Sequence, residues 1–275
     1  ELFVSQPAIT KHIQELEAAY QTRLFDRQGS RISLTDSGKL LLEHCERILE
    51  DYKRLEYEMH LLHNEYTGGL KLGASSTIAQ YVLPPLLASF IGKFPQVNLS
   101  LLNGNSREIE AALQEHRIDL GFVEGVFRLP NIKYTTFLED ELVAVVRTGS
   151  RLTVGEEITP EELLHLPLVL RERGSGTLDV FERALQQHNI KLSSLQVLMY
   201  LGSTESIKLF LEHTDCLGIV SVRSITRELY SGQLRVVEIK GMPMLRDFSF
   251  AQPQGQESGL AQVFMQFAMH NNHKL

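Results

Sequence analysis

Residues 41–66, LLEHCERILEDYKRLEYEMHLLHNEY, are the stretch from which the rest of the chain is read. Leu41, Cys45, Ile48, Tyr52, Leu55, Met59, Leu62 and Tyr66 recur at alternating spacings of four and three, which keeps one narrow apolar stripe on one side of a helix. Glu43, Glu46, Arg47, Glu50, Asp51, Lys53, Arg54, Glu56 and Glu58 charge the surface between. Thr35-Asp36-Ser37-Gly38 offers a capping side chain at the start, and Gly68-Gly69 a stop at the end. The predicted helix, 36–66, would run roughly 45 Å at 1.5 Å per residue. So narrow a stripe suits a partner helix better than a broad core surface. The segment is therefore read as a dimerising linker, with one module before it and another behind.

The 275 residues, 43% of them hydrophobic, can build two domains with real cores. A net charge of −7 gives no bulk attraction to nucleic acid or to an anionic membrane. Residues 1–39 are locally neutral, whereas 40–66 carry three basic and seven acidic side chains. Cys45 and Cys216 sit in apolar patterns and form no disulfide framework. There is no run of about 18 apolar residues and no signal peptide, so a soluble cytoplasmic protein without a membrane partner is expected.

Before the linker, Ser5-Gln6-Pro7-Ala8-Ile9-Thr10-Lys11-His12-Ile13-Gln14-Glu15-Leu16-Glu17 reads as a helix opened by Ser5, with Pro7 tolerated in the first turn. Ile9, Ile13 and Leu16 form its expected buried side; Pro7, Thr10, Lys11 and Gln14 lie opposite. Short polar groups beside one cation suit entry into a DNA major groove. Gln28-Gly29-Ser30, flanked by 23–27 and 31–35, then signals a hairpin. Helix and basic-tipped hairpin together read as a winged helix-turn-helix, with Arg27 and Arg31 reaching phosphates.

Beyond Gly68-Gly69 the period changes. Leu70–Ala74, Val97–Leu102 and Ile118–Val123 read as strands alternating with helices over Ile78–Phe94 and Ser106–His116, followed by a strand at Glu141–Val146. The pattern restarts with strands at Leu168–Leu170, Leu195–Tyr200 and Leu217–Val220 and helices ending near Gln187 and His213. Such alternation means an α/β fold with a mainly parallel sheet, here in two lobes with a cleft between them.

Phe3-Val4-Ser5-Gln6-Pro7-Ala8-Ile9-Thr10, then Leu16-Glu17, Leu24-Phe25-Asp26-Arg27 and Leu34-Thr35-Asp36-Ser37-Gly38, resemble the DNA-binding domain of LysR-type transcriptional regulators. The family's domain begins one helix earlier, so the chain looks N-terminally truncated. The resemblance implies an α/β effector domain of two Rossmann-like lobes, preceded by an all-α winged helix-turn-helix remnant and a long coiled-coil linker helix. The expected boundaries are 1–35 for the winged helix-turn-helix, 36–66 for the linker and 67–275 for the effector domain. Within the last, the tail returns to the first lobe, giving lobe I as 70–147 plus 244–275 and lobe II as 148–243. The crossovers then fall near Arg147-Thr148-Gly149-Ser150 and Gly241-Met242-Pro243, as in periplasmic-type solute-binding domains. Implied partners are double-stranded DNA, further copies of the chain in a dimer or tetramer, and RNA polymerase. Ser5, Gln6, Pro7, Thr10, Lys11, Gln14, Arg27 and Arg31 are the expected DNA-binding residues.

Three strand-to-helix turns share one chemistry: Ser75-Ser76-Thr77, Gly174-Ser175-Gly176-Thr177 and Ser203-Thr204. Each gathers hydroxyls and free backbone N–H groups at a helix N-terminus, a setting for an anion at the carboxyl ends of the strands. Singly, each is an ordinary N-cap; together, on facing lobes, they mark an effector site for a small anion, with Arg171 and Arg173 beside one of the three helix N-termini. In LysR-type regulators the matching positions resemble those holding the effector. The family often has a proline near Arg151 and again near Ser221-Val222, and this chain departs there. His60 and His63 with Glu56, His270 and His273, and Cys216 read as surface or core side chains. No metal or cofactor is expected, and no nucleophile–base pair supports catalysis. A solute-binding transport component or an enzyme using the same cleft are the competing readings.

Overall fold

The computed structural model describes residues 6–28, 31–63, 66–126, 128–152, 155–254 and 259–272. The chain divides into two compact units, 1–64 and 65–275.

The first unit consists of α1 (Gln6–Tyr20), the hairpin strands β1 (Phe25–Gln28) and β2 (Arg31–Leu34), and α2 (Asp36–His63). The strands pair antiparallel with Gln28 opposite Arg31; the hairpin makes the unit a helix-and-hairpin unit, not an all-α one. Gly29-Ser30, Ser5 and the side chains of Arg27 and Arg31 lie outside the described residues. The expected cap forms: Gly38 N donates to Thr35 Oγ1 at 3.0 Å, while the Thr35 hydroxyl donates to the Arg23 carbonyl at 2.7 Å. A Cβ on Gly38 would stand 2.1 Å from the Leu24 carbonyl oxygen, so only glycine fits there.

Two expectations change. Ile9 is 44% and Leu16 40% exposed, so the predicted buried side of α1 is open. Among the unit's described residues Leu24 is the one hydrophobic side chain that is buried, so few of them offer an apolar surface to α1. The helix α2 ends at His63, not at Tyr66. Tyr66 instead sets its ring edge-on against Phe94, centroids 5.5 Å apart, in the second unit. Gly68-Gly69 opens a strand there and is not a helix stop.

That second unit begins with β3 (Gly68–Ser75), a π-helical turn (Ile78–Val82), α3 (Leu83–Lys93), β4 (Val97–Gly104), α4 (Ser106–Gln114) and β5 (Leu120–Glu124). Next come β6 (Ile132–Arg147), β7 (Glu157–Ile158), β8 (Pro167–Arg171), α5 (Gly176–Gln187), β9 (Gln196–Leu201), α6 (Thr204–His213) and β10 (Leu217–Ser221). The unit closes with α7 (Thr226–Tyr230), β11 (Leu234–Ile239), β12 (Met244–Pro253) and α8 (Gly259–Asn271). All ten strands join one sheet in the order β4-β3-β5-β12-β6-β10-β8-β9, with β11 on β6 and β7 on β11.

The sheet is mixed, where a mainly parallel one was expected. β3, β4 and β5 run parallel, as do β8, β9 and β10, but β6 and β12 run antiparallel to their neighbours. Only the last third of β6 was legible, because Lys133, Thr135, Thr136, Glu139 and Asp140 break its apolar pattern. β12 returns to pair with β5, and β6 pairs with β12 from Ile132 to Leu142. Leu142 pairs with both β12 and β10, and Val143–Arg147 pair with β10 and β11; Leu142, Ala144 and Val146 join the second lobe's core. The crossover expected near Arg147–Ser150 thus lies inside β6, around Leu142. A strand that stays hydrogen-bonded through the junction leaves no turn in the sequence to mark it.

Each lobe has its own core. In the first, Phe90, Phe122, Phe250 and Phe264 are fully buried, with the Phe90–Phe264 and Phe122–Phe250 centroids 4.8 and 5.0 Å apart, so α8 closes that lobe. In the second, Phe181 and Leu185 of α5 fill one face of the sheet, and Ile207 and Leu211 of α6 the other. Each such side chain contributes roughly 1.5–3 kcal/mol on burial, which holds the helix N-termini firmly at the strand ends.

Candidate functional site

The turn Ser75-Ser76-Thr77 is buried where the two lobes meet. It ends β3 and enters the π-helical turn, a distortion that often accompanies functional sites. Ser76, 5% exposed, faces Arg171 at the end of β8: Arg171 Nη2 donates to Ser76 Oγ at 3.4 Å. Arg171 Nη1 donates to Thr204 Oγ1, and Nη2 to the Gly202 carbonyl, both at 3.4 Å. Two of the three predicted turns therefore meet around one guanidinium, which is itself only 1% exposed. Its Nε and Nη2 make short bonds to Glu172, at 2.8 and 3.0 Å. Toward the hydroxyls its bonds are long, at the outer edge of hydrogen-bond geometry. Arg173, named beside it in the sequence, is exposed.

The third turn meets the same central turn by another route. Thr77 Oγ1 and Thr177 Oγ1 each donate to Glu124 Oε1 at 3.4 Å. Arg246 Nη1 lies 3.2 Å from that oxygen and donates to Thr177 Oγ1 at 3.0 Å, while Arg246 Nε donates to Asp140 Oδ2 at 2.7 Å. Ser221 donates to the other Asp140 oxygen, also at 2.7 Å. Glu124, Asp140 and Arg246 are buried; such charges are tolerated only when paired and hydrogen-bonded. Ser75 Oγ and Glu124 Oε2 are buried without a hydrogen-bond partner among the described residues. The turn itself is pressed on backbone: a Cβ on Gly176 would lie 2.2 Å from the Glu124 carbonyl oxygen, and Gly174 has φ +94.

Several hydroxyls do serve as caps. Ser175 Oγ accepts from Leu178 N at 3.2 Å and Ser203 Oγ from Ser206 N at 3.1 Å. Ser76 and Thr204 do not: Ser76 donates to the Gly104 carbonyl and both accept from Arg171. Glu124, Asp140 and Arg246 were missed by sequence reasoning. The available signal was a charge interrupting an otherwise apolar strand, as in Leu120–Glu124 and Met244–Pro253.

On α1, Gln6, Pro7, Lys11 and Gln14 are exposed along one face. The Thr10 hydroxyl donates back to the Gln6 carbonyl at 3.0 Å, leaving its oxygen to accept. Lys11 lies 3.8 Å from Glu15, an exposed pair that water screens. Among the described residues no group of His, Cys, Asp or Glu side chains gathers as a metal site would, and no helix is long and apolar enough to cross a membrane.

Hydroxyl-lined helix N-termini and a buried guanidinium held between two strand-linked lobes are what a solute-binding domain presents. A polar-faced helix and wing elsewhere in the chain make the class a ligand-responsive regulator. Residues 63–272 match the LysR substrate binding domain, and residues 1–39 the bacterial regulatory helix-turn-helix protein, lysR family. The chain belongs to the LysR family of DNA-binding transcriptional regulators, which consists of regulators and not enzymes. It is 34% identical over 238 residues to the HTH-type transcriptional regulator YeiE of Escherichia coli (strain K12), covering 86% of this chain and 78% of that protein. Identity to the HTH-type transcriptional regulator CysL of Bacillus subtilis (strain 168) is 27%, over 91% of this chain and 83% of that one. The regulatory domain of Synechocystis PCC6803 CcmR, solved in complex with 2-PG, superposes with a TM-score of 0.67 at 26% identity, covering 74% of this chain and 97% of that chain.

Proposed function

We propose that the second unit senses a small anion, a carboxylate or an oxyanion, bound between Ser76, Arg171 and Thr204. The observation that carries this reading is the buried Arg171, whose donors toward the two turns make only 3.4 Å contacts. An anion taking those donors at ordinary distance would gain roughly 1.5–3 kcal/mol per hydrogen bond. The helix N-termini behind Ser76 and Thr204 add favourable dipoles. Ser75, Thr77, Gly174, Gly176 and Thr177 belong to the same site as its walls, and Ser175 and Ser203 as the caps that hold two of its helices. The CcmR regulatory domain with 2-PG supports a small-molecule ligand for this fold.

The anion's binding is coupled to reading double-stranded DNA in the cytoplasm by Gln6, Pro7, Thr10, Lys11 and Gln14, with Ser5 and the wing residues Arg27 and Arg31 on the backbone. Coupling of this kind is typically about 1–3 kcal/mol. Copies of the chain associate through α2, as its exposed Ile48, Tyr52, Leu55 and Met59 support. Calorimetric titration with a panel of carboxylates and inorganic oxyanions tests the site. Ser76→Ala and Thr204→Ala should each weaken binding about tenfold with the melting temperature nearly unchanged. Unchanged affinity in both variants, or selective binding of a neutral or cationic compound, would reject the anion reading.

A further inference from the structure

We propose that the effector carries two acidic groups, the first held at Arg171 and the second received by Arg227 in an adjoining cavity. The proposal rests on the anion reading of the Arg171 site and extends it. The cavity, of about 550 Å³, is lined by Tyr81, Glu205, Lys208, Arg223, Arg227 and Glu228 among others, a volume ordinary for metabolite sites. It begins one residue past Thr204 on α6 and one turn past Thr77 on the π-helical segment, so it adjoins the Arg171 cluster. Its two sides come from different lobes, joined by a hydrogen bond from the Tyr81 hydroxyl to Glu205 Oε1.

Most charges lining it are already matched. Lys208, 5% exposed, donates to Glu228 Oε1 and the Ser224 carbonyl at 2.8 and 2.9 Å, lies 2.7 Å from Glu205, and stands over the Tyr81 ring. Arg223 reaches the Glu139 carbonyl at 3.1 Å and Asp140 at 3.6 Å. The Arg227 guanidinium is different: it is exposed at the cavity wall and makes no hydrogen bond or ion pair among the described residues. Its influence is felt at Glu205, where burial is outweighed by hydrogen bonds from Lys208 and Tyr81 and by the charges of Lys208 and Arg227, so the carboxyl stays below its ordinary range. Burial and the bond to Glu205 push the Tyr81 phenol up, keeping it a donor. Three cations thus face two carboxylates along this open cavity, and the one with donors to spare is Arg227. A ligand with a single acidic group leaves Arg227 unused; one with two, separated by a short chain, satisfies it together with Arg171.

Titrating the full chain with sulfate, acetate and the straight-chain dicarboxylates malonate, succinate, glutarate and adipate tests this, using the parent, Arg227→Ala, Arg227→Lys and Arg171→Gln. Expected is a preferred dicarboxylate length that binds at least about tenfold tighter than acetate, an advantage lost in Arg227→Ala and partly restored in Arg227→Lys. Sulfate binding should change far less than dicarboxylate binding in Arg227→Ala, since only the second acidic group meets this exposed guanidinium, and should be lost in Arg171→Gln. If sulfate needs Arg171 but no dicarboxylate exceeds acetate, or Arg227→Ala leaves the best one unaffected, the second subsite is wrong while the anion reading stands. If no anion binds, or binding ignores Arg171→Gln, the anion reading fails and the second subsite with it.

Discussion

A guanidinium as buried as Arg171 has to be compensated, and Glu172 does so from the neighbouring position with two short bonds. The guanidinium's remaining contacts, to Ser76, Thr204 and the Gly202 carbonyl, are all at 3.4 Å. These two hydroxyls differ from those of Ser175 and Ser203, which cap helices. Ser175→Ala and Ser203→Ala should each cost about 1 kcal/mol of stability and leave ligand affinity unchanged, which paired melting and titration experiments would show. Glu110 tests the electrostatics independently. It is 4% exposed and accepts from the Tyr134 hydroxyl at 2.5 Å. Burial raises its carboxyl above the ordinary 4.5, against the pull of that hydrogen bond and of Arg128 and Arg107. The folded state therefore holds this proton more tightly than the unfolded one. The resulting stability is fully present below pH 4.5 and is lost as pH rises through the folded value. Glu110→Gln, which keeps the acceptor and removes the charge, should raise the melting temperature more at pH 7 than at pH 4; an equal change at both would show that ionisation there is immaterial. Ser76 and Thr204 were legible as hydroxyls at strand-to-helix turns. Glu124, Asp140 and Arg246 were not, because their pairing joins strands more than a hundred residues apart, and no local pattern encodes it.

At the scale of elements, helices and short parallel strands were the legible parts. α5 shows why: Ser175 caps it, and Leu178, Phe181 and Leu185 keep the helical spacing. The two long antiparallel strands were not legible, since β6 carries charges through the lobe junction that only tertiary partners explain. The start of α5 is fixed by contact. Gly176→Ala would place a methyl 2.2 Å from the Glu124 carbonyl oxygen, and should destabilise the second unit by at least about 1–3 kcal/mol, read from denaturant unfolding; a neutral substitution would mean the turn is looser than its geometry. On α2, Leu55 is 55% exposed within the seam. Leu55→Asp should give a smaller species in sedimentation than the parent, because a buried unpaired carboxylate is costly, and an unchanged mass would remove the seam as an interface. On α1, Lys11→Ala should weaken DNA binding across sequences and reduce the salt slope by about one, whereas changes at Gln14 should shift site preference.

At the scale of the whole molecule, the family resemblance carried the order of parts, and alternation of strands and helices carried the two-lobed body. The position of the lobe junction escaped, because a continuous sheet runs through it and turn chemistry cannot mark a place where no turn exists. What that sheet accomplishes is to hold two lobes so that helix N-termini from both face one buried arginine. The most direct measurement of that claim is anomalous diffraction from crystals of the protein grown with selenate. The account predicts a selenium peak within hydrogen-bond reach of Arg171 Nη1, Ser76 Oγ and Thr204 Oγ1, and its disappearance in Arg171→Gln. Selenate found only on exposed side chains, with that position empty in the parent, would contradict it.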